Sequence, residues 1–240
     1  MVESARRGRP PRISRDDIAR TVLDVGFNEL TFAAVRDRLG VGESTLYRHA
    51  PDRDALVRIG LEQALADVAW PALAGPWRPM LESYAHAAWQ ALAAHPGSAT
   101  EVARGVVPAA MAALFVDVSA ALMRAGFTAE HAVLSSDLVF DLVADNRRAT
   151  EHLDELVSSA GPGRARISAD WFVDEAESAS GTSGQSDTAS VSPRLAPERA
   201  ALRESVQAAI VSEPLAWFVA KLDVVLAGIT ATLAPQSADT

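Results

Sequence analysis

The run LTFAAVRDRLGVGESTLYRHAPDRDAL, residues 30–56, constrains this chain more than any other stretch. Thr31 is an N-cap residue for a helix on which Val35 and Leu39 fall four apart on one face. Gly40 ends that helix, because glycine takes the left-handed conformation that closes helices. Val41 and Leu46 supply apolar contacts on either side of the turn. The next helix, about residues 43–49, is too short and too polar to be core. Its outward residues are Ser44, Thr45, Tyr47, Arg48 and His49, all able to hydrogen-bond to bases or phosphates. Two short helices around a tight turn make a helix-turn-helix, whose second helix enters a DNA major groove. The same spacing suits a surface hairpin of a larger α-helical protein, and spacing alone does not separate the two.

The wider pattern resembles the DNA-binding signature of the tetracycline-repressor (TetR) family of bacterial regulators. The matching positions are Leu30, Thr31, Val35, Leu39, Gly40, Val41, Leu46, Tyr47, His49, Arg53 and Leu56. The resemblance implies an all-α chain with an N-terminal three-helix DNA-binding domain and a C-terminal α-helical ligand-binding and dimerisation domain. It implies base-edge contacts from Glu43, Ser44, Thr45 and Tyr47, with Tyr47 and His49 also set against the DNA backbone. Thr31 and Arg53 match its phosphate-binding positions. Arg48 faces outward, within reach of a guanine or a phosphate. Two departures bear on the operator. Many family members carry a base-contacting arginine two residues after the motif threonine, where this chain has Ala33. The usual alanine three positions later is Arg36, so a contact moves there. Glu43 accepts hydrogen bonds only from cytosine N4 or adenine N6. The operator sequence therefore does not carry over.

Charge is distributed to suit DNA. The net charge is −9, but residues 1–60 carry 11 arginines against 9 acidic groups. The other 180 residues carry 11 basic groups against 22 acidic ones. An acidic body with a basic N-terminal end directs the DNA approach to one face. Residues 1–13 contain Arg6, Arg7, Arg9, Gly8, Pro10 and Pro11 without helical periodicity. They read as a basic arm, either extended in a minor groove or a solvated tail attracted to phosphates.

Hydrophobic content of 49% over 240 residues supports a core rich in alanine, and no long alternating Val/Ile/Thr run appears, so the chain reads as all-α. It has no cysteine, hence no disulfide and no thiolate metal site. No signal-peptide run is present, and the apolar segments read as interrupted by charges or prolines. A cytoplasmic protein without a membrane span is expected.

Along the chain, Ser14 to Asp17 forms a variant capping box before a supporting helix that stops near Gly26. Asp52 caps a helix reaching about residue 69, where the DNA-binding unit, residues 14–69, gives way to the body, 70–240. Further helices are expected over about 77–94, 99–104, 108–125, 129–158, 167–176, 197–212 and 213–233. Thr128 caps the long one. Residues 177–197, rich in Ser, Gly, Thr and Pro, read as disordered.

Aromatic and sulfur side chains between helices either fill core or line a pocket for an apolar or planar effector. The candidates are Trp77, Tyr84, His86, Trp89, Met111, Phe115, Asp137 and Phe140. The histidines that hold a drug–magnesium chelate in tetracycline repressors have no counterpart set here, so tetracycline is not the expected effector and no cofactor or metal is expected. The final helix carries an apolar stripe including Phe218, Leu222, Val225 and Ile229. Alone, such a stripe reads as intrachain core. The resemblance implies a dimer interface made by this helix with Leu138 and Leu142 of the long one. Two-fold symmetry would match a palindromic operator.

These readings converge on a homodimeric transcription regulator, a repressor released from double-stranded operator DNA by a small apolar ligand. The alternatives are an α-helical enzyme with an incidental hairpin, or a protein-interaction module. Against the enzyme, no GxSxG, HExxH or glycine-rich phosphate loop occurs, so no catalytic residue is assigned.

Overall fold

The computed structural model describes residues 13–160 and 196–235. Arg6, Arg7 and Arg9, the helix expected at 167–176 and most of the 177–197 segment lie outside the described residues. Ten helices and no strand occur among the described residues: α1 Arg15–Val25, α2 Phe32–Leu39, α3 Glu43–Tyr47, α4 Arg53–Ala66, α5 Trp77–Ala93, α6 Ser98–Ala103, α7 Ala109–Arg124, α8 Ala129–Ala160, α9 Ala196–Val211 and α10 Pro214–Thr232.

Local chemistry sets the helix ends. The Ser14 hydroxyl accepts from the Asp17 amide while the Asp17 carboxylate accepts from the Ser14 amide, a reciprocal capping box. The Ser14 hydroxyl also donates to the Asp17 carboxylate at 2.7 Å, and this bond first, then the one from the Ser14 amide, holds the Asp17 carboxyl below its ordinary pKa. Thr31 caps α2 through the Ala34 amide at 3.0 Å, and Asp52 caps α4 through the Ala55 amide at 2.7 Å. Gly40 closes α2 at φ 64°, a left-handed conformation that a side chain resists. The Thr128 hydroxyl accepts from the His131 amide at the head of α8.

Two apolar cores follow. In the N-terminal one, Ile18 and Val22 of α1, Phe27, Leu30, Val35 of α2, Leu46 of α3 and Leu56, Val57 and Leu61 of α4 are buried together. Gly60 lets α1 and α4 approach, since a Cβ there would collide with Val22. This core also takes in Val106, which follows α6, so the two units share a seam rather than meeting only at a linker near residue 70. The larger core joins α5, α7, α8 and α10 around Leu81, Leu122, Val139, Phe218 and Leu222.

That core corrects the reading of the last helix. Phe218, Leu222 and Ile229 are 0–1% exposed in the single chain, so they cannot also meet a partner. α10 packs across α5 and α8, and Trp89 stacks on Phe218 with ring centroids 5.8 Å apart. A stripe at helical spacing shows which face is apolar, not what covers it. Val225 and Leu142 are half-buried, and Leu138 stays exposed. One further expectation is amended. α10 is long and apolar enough by composition to cross a membrane, although it carries Lys221 and Asp223.

Candidate nucleic-acid interface and ligand cavity

α3 is held by one buried anchor and one aromatic stack. Leu46 is fully buried beneath it, and the Tyr47 ring stacks on Phe32 at 4.3 Å and 27°. Sequence reasoning missed Phe32; its place directly after the Thr31 cap was the available signal. Glu43, Ser44, Tyr47, Arg48 and His49 are exposed in one short run, and Thr45 is half-buried. The Arg48 guanidinium lies 3.5 Å from the Thr45 hydroxyl. Arg36 is engaged by its neighbour Asp37, Nη2 to Oδ1 2.6 Å, rather than projecting free.

Arg53 departs furthest from its expected place. Its guanidinium turns inward instead of out to a phosphate. It grips both carboxylate oxygens of Glu101 at 2.7 and 3.0 Å and donates through Nε to the Leu30 carbonyl at 3.0 Å. Glu101, on α6, is 4% exposed and takes a second cation, Arg104, at 2.8 Å. The hydrogen bonds to Glu101 raise the Arg53 pKa above its ordinary value. The pair lashes the first residue of α4 to the body. Beside it, Gly97 at the foot of α6 abuts Asn28, where a Cβ would clash, and its amide donates to Glu151 of α8 at 2.9 Å.

A cavity of about 600 Å³ opens among α4, α5, α7 and α8. Met111, Phe115, Asp137 and Phe140 line it. Four other candidates do not. Trp77 packs edge-on against Phe127 at 5.2 Å. Tyr84 is buried, stacked on Trp70, with its hydroxyl donating to the Pro71 carbonyl at 2.6 Å. Burial, then nearby Asp117, pushes its phenol pKa up. Trp89 is committed to Phe218 and to Asn146. His86 lines a separate shallow groove, with Nδ1 2.9 Å from the Glu82 carbonyl. Trp70 takes the aromatic role in the cavity wall, alongside Leu65, Leu92 and Val102. Asp141 and Asp145 continue the row begun by Asp137. Among the described residues, no cluster of His, Cys, Asp and Glu could hold a metal ion.

The described residues thus join a helix-turn-helix with a bare polar face to an all-helical body that holds a cavity of small-molecule size. Residues 17–58 match the family described as bacterial regulatory proteins, tetR family. No curated protein matches its sequence. The fold is similar to that of the Streptomyces coelicolor TetR family protein ActR in complex with actinorhodin: TM-score 0.72, 18% identity, 92% of this chain and 97% of that one covered. It is also similar to a TetR variant from Acinetobacter baumannii AYE in complex with minocycline: TM-score 0.59, 18% identity, 91% and 97% covered.

Proposed function

We propose that this chain is a cytoplasmic, homodimeric repressor whose grip on a palindromic operator is released by a small, largely apolar ligand. The observation that carries the ligand response is a shared wall. Leu65, on the last turn of α4, lines the cavity, while only the short turn of residues 48–52 separates the start of α4 from the reading helix. A ligand filling the cavity bears on the helix that positions α3. The similar folds in complex with actinorhodin and minocycline support a small-molecule effector. Glu43, Ser44, Thr45, Tyr47, Arg48 and His49 read the DNA, with Thr31 at a phosphate and Arg6, Arg7 and Arg9 adding charge. Arg53 acts as the hinge clamp. The dimer uses the apolar side chains the single chain leaves bare, Leu134 and Leu138 on α8 and Trp217 and Val224 on α10, which are 42–73% exposed.

The test is salt-dependent binding of the full chain to DNA flanking its own gene, with mass in solution measured in parallel. A dimer binding a palindromic site, with affinity falling steeply as salt rises, is the expected result. A monomer, or no sequence preference over random DNA, refutes it.

A further inference from the structure

The cavity has an unusual balance of charge. Its wall is apolar and aromatic, with half-buried Trp70, Phe115 and Phe140. Three carboxylates, Asp137, Asp141 and Asp145, stand one helical turn apart along α8 at its edge. Neither Lys, Arg nor His lines it among the described residues. Asp145 is partly answered by Arg148 at 3.0 Å. Asp137 and Asp141 make no ion pair among the described residues. Burial, with Asp137 and Asp145 adding to it, raises the Asp141 pKa. The three carboxylates do not converge on a metal-sized point. An anion placed here meets only like charge, while a cation meets carboxylates and aromatic faces together. Resting on the ligand-responsive reading above, we propose that the effector is a lipophilic organic cation, seated by its apolar part in the cavity and by its charge against Asp137 and Asp141.

Full-length protein is titrated calorimetrically with tetraphenylphosphonium, with tetraphenylborate, which has nearly the same shape and the opposite charge, and with neutral triphenylphosphine oxide. The phosphonium binds at least about tenfold more tightly than the other two, the size of one moderate charge-assisted contact. The Asp137→Asn/Asp141→Asn double variant loses about tenfold or more for the phosphonium, and Asp145→Asn loses less because Arg148 already answers that charge. Both variants keep the parent's unfolding midpoint or exceed it. Equal affinity for the three probes, undiminished phosphonium binding in the double variant, or no phosphonium binding at millimolar concentration overturns the proposal. Charge-selective binding that leaves operator affinity unchanged upholds the cation site and removes the ligand-responsive reading. Operator release by the phosphine oxide as readily as by the phosphonium does the reverse.

Discussion

Replacing Arg53 tests the seam between reading head and body. Arg53→Ala leaves Glu101 at 4% exposure with Oε1 stripped of its donor and Oε2 held only by Arg104. Removing one partner of a fully buried pair costs about 3–5 kcal/mol. The Arg53 side chain is 34% exposed, so water enters where it stood and the cost falls to about 2–3 kcal/mol. For a chain of this size that lowers the thermal midpoint by roughly 5–10 °C. Glu101→Ala should cost less, about 1–2 kcal/mol, since the orphaned guanidinium keeps the Leu30 carbonyl and reaches solvent. The double variant should show a coupling of about 1–2 kcal/mol between the two sites. Chemical denaturation of all four proteins completes the cycle. If Arg53→Ala leaves stability within about 0.5 kcal/mol of the parent yet abolishes operator binding, the guanidinium serves DNA rather than the seam, and the reasoning fails.

Other outcomes follow from the same geometry. Tyr47→Ala removes the Phe32 stack and an exposed reading residue, lowering stability by only about 1 kcal/mol while weakening operator binding in a gel shift at fixed salt. Phe218→Ala should destabilise the chain by about 3–5 kcal/mol, whereas Leu138→Glu with Trp217→Glu should leave each subunit folded and yield monomers in light scattering. Asp141 titrates above its unfolded value, so its neutral form favours the fold at low pH and that advantage is lost as pH rises through the raised pKa. Asp141→Asn therefore stabilises the protein at neutral pH, and the difference from the parent vanishes in acid, read by melting along a pH series. Deleting residues 1–12 should flatten the salt dependence of operator binding, because the deletion removes counterion-releasing arginines.

Short-range chemistry was readable from residue order. Ser14, Thr31, Asp52 and Thr128 cap helices through amides three residues away, and Gly40 ends α2, because these contacts depend on neighbours in the chain. The exposed face of α3 was legible for the same reason: one buried leucine in a short polar helix leaves most of the rest outside. The partners of long-range groups were not. Arg53 and Glu101 stand 48 residues apart, and nothing in either segment marks the other. Trp77 and Trp70 have similar local settings, yet Trp77 meets Phe127 and Trp70 borders the cavity. Residue order alone thus located most of the described helices, their capping residues and the exposed face of α3, all products of contacts within a few residues. Packing settled which apolar stripe is core, which arginine clamps the seam and which carboxylates edge the cavity, since burial depends on what the rest of the chain lays over a side chain.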